Sequence, residues 1–264
     1  MKVLFFGDIV GRPGRTALGA WLPLLRRRFA PDFVIGNAEN AAGGTGLVPE
    51  VAEELFDLGL DAMTLGNHTW ARREIVSYLD HERRVLRPLN LPGNPPGGGS
   101  IVLEREGAGS LAVMLLHGRV FFPTHPDDPF RAGAAEAERL SRKTRAIIVD
   151  FHAEATSEKA ALGWYLDGKV SAVLGTHTHV QTADERVLPE GTAYITDAGM
   201  TGPSDSVIGV KVALALERFL TQLPVRFAPA SGMAQVAGVY LRLDPNCGRA
   251  LEIQRFLHRG EPSL

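Results

Sequence analysis

Cysteine is nearly absent from this chain of 264 residues, because Cys247 is the only one. A single cysteine forms no intrachain disulfide, and it cannot supply the thiolates of a zinc finger or an iron–sulfur cluster. Long apolar runs are also missing. The first run, Val3 to Phe6, ends at Gly7 and Asp8, far short of a signal-peptide core or of the about 18 residues that a membrane span needs. We therefore expect a cytoplasmic protein with no membrane partner.

The chain also lacks an excess of positive charge. Lys and Arg total 28 against 30 Asp and Glu, which gives a formal net charge of −2. Such a balance argues against DNA as a partner, because DNA-binding domains usually carry a strongly basic face. With 45% hydrophobic residues, a chain of this length can bury a sizeable core without help from a metal. Any metal bound here is therefore expected to be functional.

Strand-like and helix-like segments alternate along the chain, which predicts an α/β fold with mainly parallel strands covered by helices. The predicted strands are 2–6, 32–35, 62–65, 101–104, 111–116, 146–149, 172–174, 193–195, 235–243 and 251–256, and the predicted helices are 15–29, 49–58, 72–79, 132–143, 157–166 and 208–220. Strands 101–104 and 111–116 are expected to form a hairpin, and the last two strands an antiparallel edge or a second sheet layer. No repeat divides the chain, so residues 1–264 are expected to form a single domain.

Polar side chains that can bind metals follow five of the predicted strands. They are Asp8, Glu39 with Asn40, Asn67 with His68, His152, and His177 with His179. Ligands of open parallel sheets bind at the carboxyl ends of the strands, so these residues can meet despite their separation in sequence. Carboxylate, amide and imidazole groups suit divalent Mn, Fe, Zn or Mg.

All of these residues except His68 are candidate metal ligands, and seven ligands exceed the four of a tetrahedral site. We therefore expect two divalent ions. Two carboxylates among the ligands leave the ion pair with a net charge of about +2. That charge suits a bridging hydroxide and a phosphate ester.

Two short segments indicate which residues bind metal and which residue acts as the general acid. In Gly175-Thr-His-Thr-His179, an extended backbone would point residues i and i+2 to the same side, so both histidines are expected to face one site. In Gly66-Asn-His68, adjacent side chains should point in different directions. Asn67 is then the metal ligand and His68 the general acid.

Other interpretations stay open for single residues. Asp8 and Asn67 could each cap a helix, and His152 could be a buried histidine with an ordinary hydrogen bond. Asp197 is expected to support the site or to shape a substrate loop without binding metal, and its alternative is a plain turn. The remaining histidines are expected to be structural or solvated, namely His81, His117, His125 and His258.

The order of these blocks resembles that of the calcineurin-like metallophosphoesterases, which carry an Asp, a Gly-Asn-His, an isolated His and a Gly-His-x-His. Two blocks depart from that family: Asp8-Ile9-Val10 replaces Asp-x-His, and Asn37-Ala-Glu-Asn40 replaces Gly-Asp-x-x-Asp. The departures are similar to the pattern of a narrower group, the YmdB-like bacterial metallophosphoesterases. The similar blocks are residues 7–14, 37–40, 66–70, 175–180 and 196–202.

The resemblance implies a calcineurin-like sandwich of largely parallel or mixed sheets flanked by helices. It also implies a bacterial di-metal phosphodiesterase that acts on 2′,3′-cyclic nucleotides, with Fe or Mn as the metals. One ion would be held by Asp8, Glu39, Asn40 and His179, and the other by Glu39, Asn67, His152 and His177. A hydroxide between the ions would attack phosphorus while His68 protonates the leaving ribose oxygen.

Two other functions stay open at this point. The same ligands could serve a di-metal phosphomonoesterase or nucleotidase, or a metal-dependent regulatory protein that senses a nucleotide without turnover. In each case the expected partner is a small phosphoester or nucleotide. Whether copies of the chain form a homo-oligomer is left open by the sequence.

Overall fold

The structure is a computed structural model that describes residues 1–262. Its helices and strands alternate along most of the chain. In chain order they are β1 (Lys2–Phe6), β2 (Asp8–Ile9), α1 (Gly11–Phe29), β3 (Phe33–Asn37), α2 (Pro49–Leu58), β4 (Ala62–Thr64), α3 (Ile75–His81), β5 (Val85–Leu86), β6 (Ser100–Arg105), β7 (Gly109–His117), α4 (Pro129–Ser141), β8 (Ala146–His152), α5 (Thr156–Tyr165), β9 (Ala172–Thr176), β10 (Arg186–Val187), β11 (Ala193–Ile195), β12 (Met200–Pro203), α6 (Val212–Thr221), β13 (Ala234–Leu243) and β14 (Ala250–Arg259).

The strands form two mixed sheets. The first has the order β2-β12-β13-β1-β3-β4-β5, with β14 also paired to β13, and the second has the order β10-β11-β9-β8-β7-β6. Strands β1, β3, β4 and β5 are parallel, as are β7, β8, β9 and β11. The predicted hairpin of β6 and β7 is confirmed. Strands β13 and β14 extend the first sheet as an antiparallel edge.

The two sheets pack face to face and helices cover their outer faces. The alternation along β7 shows this arrangement, because successive side chains of a strand point to opposite faces. Leu111, Val113 and Leu115 join the core between the sheets, whereas Ala112, Met114 and Leu116 pack with residues of α4 and α5. On the other side, Phe29 of α1 stacks on Tyr240 of β13 with 4.6 Å between the ring centroids. The expected sandwich of mixed sheets flanked by helices is confirmed.

Some predicted boundaries were wrong. Helix α1 begins at Gly11 rather than at residue 15, because Pro13 is tolerated in the first turn, where the backbone N–H has no intrahelical partner. Part of the 196–202 block forms β12 and pairs with β2 and β13. The last predicted helix starts at Val212, not at Ile208, which lies in a tight turn instead. No helix within residues 1–262 combines the length and the apolar character needed to cross a membrane.

A buried carboxylate joins the two sheets at the carboxyl ends of their strands. Asp150 of β8 has no exposed surface. It accepts hydrogen bonds from Asn37 Nδ2 of β3 at 3.0 Å, from Thr64 Oγ1 of β4 at 2.5 Å and from Thr176 Oγ1 of β9 at 2.7 Å. Burial raises its pKa to about 6 even though these hydrogen bonds and the nearby His152 favour the charged form. Asp150 thereby fixes how the strand ends of one sheet face those of the other.

Gly175 lets the chain after β11 pass close to the end of β9. A Cβ atom on Gly175 would lie 1.7 Å from the carbonyl oxygen of Thr196, and a backbone atom cannot move aside without separating the two segments. We expect Gly175→Ala to lower the free energy of unfolding by about 1–3 kcal/mol, measured by urea denaturation. Gly98→Ala is the matched control, because its nearest neighbour is 3.6 Å away. Equal losses in the two variants would contradict the close approach.

Candidate metal centre

The predicted ligands come together where strand ends of the two sheets meet. The first cluster surrounds the Nε2 atom of His152, the last residue of β8. Asn67 Oδ1 lies 2.9 Å from this atom, Glu39 Oε1 3.0 Å and His177 Nδ1 3.1 Å. Glu39 and His152 are both almost completely buried. Four donor atoms from four separate segments thus converge on one point.

The four donor atoms at this point, His152 Nε2 included, have too few protons to hydrogen-bond with one another, which indicates a cation site. The Nε2 atom of His177 lies 2.9 Å from Glu154 Oε2, so this nitrogen carries the ring proton and Nδ1 presents a lone pair. A single N–H on His152 Nε2 cannot serve Asn67, Glu39 and His177 together. One divalent ion can accept all four lone pairs.

The pKa shifts of Glu39 and His152 also indicate a cation site. Burial alone would lower the pKa of His152 and raise that of Glu39. Their mutual attraction instead raises the pKa of His152 to about 9 and lowers that of Glu39 to about 2. Burial and the neighbouring His152 lower the pKa of His177 to about 3. A cation bound here would displace the proton that Glu39 and His152 share.

A second cluster lies beside the first. Asp8 Oδ2 accepts the backbone N–H of His177 at 3.0 Å, whereas Asp8 Oδ1 is buried and has no hydrogen-bond partner among residues 1–262. His179 donates from Nδ1 to the carbonyl oxygen of Ile208 at 2.8 Å, so its lone pair is on Nε2. That atom lies 3.6 Å from Asp8 Oδ1 and 3.2 Å from Asn40 Nδ2. The orphaned Oδ1 of Asp8 and the Nε2 lone pair of His179 fit a second cation. For Asn40 to join them, its amide must turn by 180° so that Oδ1 takes the place of Nδ2, which now donates to His179.

The two histidines of the 175–179 segment reach these clusters by a strained loop. Strand β9 ends at Thr176, and the φ angles of His177 and His179 are 95° and 67°. The expectation of an extended segment is therefore wrong, and the two rings face neighbouring clusters rather than one point. Left-handed backbone in residues other than Gly costs about 1–3 kcal/mol each and persists where the surroundings impose it.

Asp197 contacts the middle of this loop. Its Oδ2 atom accepts hydrogen bonds from the backbone N–H of Thr178 at 3.1 Å and from the hydroxyl of Thr178 at 2.7 Å. Lys159 Nζ donates to the same oxygen at 2.8 Å, and both side chains of this ion pair are buried. Asp197 thus binds the residue between the two histidines, and within residues 1–262 its side chain makes no hydrogen bond to the side chains of the predicted ligands.

The Gly66-Asn-His68 segment forms a turn rather than an extended strand. Strict alternation of side chains therefore does not hold here, and Asn67 Nδ2 lies only 3.4 Å from His68 Nε2. The backbone N–H of His68 donates to Glu39 Oε2 at 2.9 Å. A Cβ atom on Gly66 would lie 2.4 Å from Glu39 Oε2 and 2.5 Å from the His152 ring. Glycine is required because the turn presses directly on these two side chains.

Several residues beside the clusters were not predicted to act there. Asp150 and Glu154 each lie two positions from His152 in the sequence. An acidic residue within an otherwise apolar strand, as Asp150 is in β8, could have indicated a role at the site. Lys159 gave no signal, because one polar residue on a helix is ordinary.

His117, expected to be structural or solvated, is buried and donates from Nδ1 to the carbonyl oxygen of Gly118 at 2.5 Å. Burial and the nearby His152 lower its pKa to about 4.

The clusters open into a cleft of about 350 Å³. His68, His177 and His179 face this cleft together with Glu39 and Asn40. The remaining lining residues are apolar or small, namely Val10, Gly43, Gly44, Thr45, Ile208, Gly209, Val210, Phe227, Ala228 and Pro229. We call the part of the cleft lined by the five predicted site residues its polar end, and the part lined by the remaining residues its apolar end.

Comparison with known proteins gives close relatives over nearly the whole chain. A family model described as YmdB-like protein matches residues 4–256. The 2′,3′-cyclic-nucleotide 2′-phosphodiesterase of Bacillus subtilis (strain 168) is 48% identical over 257 residues, which cover 97% of each chain. The crystal structure of a hypothetical protein from Thermus thermophilus is 45% identical, with a TM-score of 0.92 and coverage of 99% of this chain and 100% of that one. The crystal structure of a phosphatase from Mycoplasma pneumoniae is 35% identical, with a TM-score of 0.92 and coverage of 99% and 94%.

Thr176 sets the orientation of His152 at the first cluster. Its hydroxyl donates to Asp150 Oδ1, so its oxygen accepts from His152 Nδ1 at 2.9 Å and leaves Nε2 free to bind a cation. We expect Thr176→Val to weaken the binding of Mn²⁺ about 10- to 100-fold, measured by isothermal titration calorimetry. Thr192→Val is the control, because Thr192 is equally buried and hydrogen-bonded but bonds to Val170 and Gly168 instead. Unchanged Mn²⁺ affinity in Thr176→Val would contradict this orienting role.

Proposed function

This chain belongs to the YmdB-like protein family, and from that premise we propose that it is a di-metal phosphodiesterase that hydrolyses 2′,3′-cyclic nucleotides. The Bacillus subtilis relative is named for this reaction, and the relative from Mycoplasma genitalium is named a putative phosphatase/phosphodiesterase. Hydrolysis of phosphoesters is the activity that these names share. The observation that carries the proposal is the convergence of the two donor clusters at the polar end of the cleft.

The proposed ligand sets follow the two clusters. Asp8, Glu39, Asn40 and His179 would hold one ion, and Glu39, Asn67, His152 and His177 would hold the other, with Glu39 shared. Mixed oxygen and nitrogen donors suit divalent Fe, Mn, Zn or Mg, and the resemblance to the YmdB-like metallophosphoesterases favours Fe or Mn among them. When bound, the two ions would supply positive charge for the phosphate oxygens and an acidified water for hydrolysis.

The lining of the cleft favours a diester over a monoester. No Lys or Arg is found among the residues that line it within the described part of the chain. Two ions with two carboxylates leave a net charge of about +2, and the hydroxide of the proposed reaction would lower it to about +1. A monoanionic diester balances that charge, whereas a dianionic monoester would leave an excess negative charge that needs a further cationic donor. The phosphomonoesterase alternative therefore has less support from the residues of the cleft.

His68 is the proposed general acid. Its ring lines the cleft, and its backbone N–H is anchored on Glu39 Oε2 at 2.9 Å. This anchor holds the backbone of His68 next to the shared carboxylate and does not use the ring nitrogens. The ring can therefore deliver a proton to the ribose oxygen that leaves phosphorus.

The proposed setting is the bacterial cytoplasm, with a free small phosphoester as the partner. Cys247, the only cysteine, is exposed and unpaired, as is usual for a protein of a reducing compartment. A net charge of −2 disfavours DNA as a substrate. The donor clusters and the cleft are built from one copy of the chain, so the proposed reaction needs no homo-oligomer.

Turnover of a small substrate panel tests the proposed function. We expect protein reconstituted with Mn²⁺ or Fe²⁺ to hydrolyse 2′,3′-cyclic nucleotides faster than 3′,5′-cyclic nucleotides or nucleoside monophosphates, measured by product chromatography. Faster release of phosphate from monoesters would instead indicate a phosphomonoesterase. Tight nucleotide binding without hydrolysis would indicate a sensing protein.

Replacement of His68 tests the general acid. His68→Ala keeps the backbone N–H that holds Glu39, so it should retain both ions while kcat on a 2′,3′-cyclic nucleotide falls about 10²- to 10⁴-fold. The loss should be smaller for a nitrophenyl diester, because a stable leaving anion needs little protonation. His81→Ala, at an exposed histidine of α3, is the control. Loss of metal in His68→Ala, measured by elemental analysis, would make His68 a ligand, and an undiminished rate would exclude both roles.

A further inference from the structure

The turn at the apolar end of the cleft has an unexpected residue in its first central position. Val207 and Val210 exchange two backbone hydrogen bonds of 2.9 Å, and between them Ile208 and Gly209 have φ angles of 45° and 98°. Two positive φ angles define a type I′ turn, which strongly favours Asn or Gly at both positions. A β-branched residue is strained there. The conformation of the turn therefore does not account for isoleucine.

The position of Ile208 suggests what its side chain does. Its carbonyl oxygen accepts the Nδ1 proton of His179 at 2.8 Å, a contact that any residue could make. Its side chain is 51% exposed and lines the cleft. Strained residues cluster where a binding site needs the side chain in a fixed place.

Phe227 lines the same end of the cleft and is 52% exposed. Backbone hydrogen bonds attach its segment to the turn: Ala230 N–H donates to Gly209 O at 2.9 Å, and Lys211 N–H donates to Ala228 O at 3.0 Å. The apolar residues on these two segments therefore form one surface. We name Ile208, Val210, Phe227 and Pro229 the apolar wall.

Backbone with little side-chain bulk borders the cleft beside the apolar wall. Gly43 and Gly44 have φ angles of 69° and 94°, and a Cβ atom on Gly44 would lie 2.8 Å from Pro229. Arg72 fixes this loop, because Nε donates to Thr45 O and Nη2 donates to Ala42 O, both at 3.0 Å. Peptide groups and apolar side chains around one cleft suit a flat, uncharged ring.

We propose that the apolar wall, chiefly Ile208 and Phe227, is a stacking subsite for the nucleobase of the substrate. This inference rests on the proposed function, because it assigns the phosphate to the ligand clusters and the ribose to the neighbourhood of His68. The base then extends along the cleft onto the apolar wall. Stacking on apolar and aromatic side chains recognises the face of a base and tolerates its identity. The subsite therefore selects nucleotides over small cyclic diesters, and discriminates little among the four bases.

Two variants separate base binding from structure. Phe227→Ala should lower kcat/KM for adenosine 2′,3′-cyclic phosphate about 5- to 100-fold and leave glycerol 1,2-cyclic phosphate, which has no base, unchanged. Ile208→Asn should also lower kcat/KM for adenosine 2′,3′-cyclic phosphate. It should raise Tm, because asparagine suits a positive φ angle. If Ile208 had only a structural role, its replacement would not raise Tm and at the same time lower kcat/KM for the nucleotide alone. Phe219→Ala is the control, because Phe219 is exposed on α6 and does not line the cleft.

Direct binding keeps this test independent of turnover. Calorimetric titration of the metal-loaded protein with adenosine 3′-monophosphate should show binding that is weakened about 5- to 100-fold in Phe227→Ala. Equal affinities in wild type and Phe227→Ala, or equal losses on both cyclic substrates, would overturn the stacking subsite. If wild type hydrolysed no cyclic diester but bound the nucleotide through Phe227, the proposed reaction would fail and the subsite would stand.

Discussion

The buried carboxylate of Asp150 is the contact on which the geometry of the site depends. One of its oxygens accepts hydrogen bonds from Asn37 and Thr64 of the first sheet, and the other accepts from Thr176 of the second. Asn37 in turn accepts the backbone N–H of Glu39 at 3.1 Å, and Thr176 accepts the Nδ1 proton of His152. One charge therefore orients a donor residue from each sheet. A buried charge is costly unless its hydrogen bonds are made, so any shift of one sheet against the other would break bonds on both sides.

A second constraint lies in the loops, where strain is held by a buried ion pair. His177 and His179 have positive φ angles, and the residue between them is bound by Asp197, which also pairs with Lys159. Each of the two strained histidines costs about 1–3 kcal/mol. A hydrogen bond to a charged group contributes about 1.5–3 kcal/mol, so the two hydrogen bonds from Thr178 to Asp197 are of the size needed to offset this strain. The comparison explains how the loop can stay in a conformation that its own residues disfavour. Rigid strands bring the donors near each other, and this loop sets their final directions.

From the sequence we predicted the residues that form the two clusters, but not the residues that position them or the directions of their side chains. Polar residues after strands were a sound guide, because parallel strands bring their carboxyl ends to one edge. The direction of each side chain depended on loop conformation, so the inference of extended backbone at His177 and His179 was wrong. Asp150 was missed because its partners lie on three other strands, and the register between two sheets cannot be read from one segment. Ile208 was placed in a helix because its apolar neighbours fit a helical period, whereas the backbone pairing of Val207 with Val210 overrides that pattern.

The distribution of charge divides the work of recognition between the two ends of the cleft. Lys159 is a buried cation beside the loop of the histidines, yet its charge is neutralised by Asp197, and no Lys or Arg lines the cleft in the described residues. In the proposed function, fixed positive charge for a phosphate would come from the two ions, so phosphate affinity would depend on metal loading. Affinity for the base of a nucleotide would then come from the proposed apolar wall, whose contribution does not depend on charge. A ligand without a base would gain affinity only from the ions, and a ligand without a phosphoester would gain affinity only from the apolar wall.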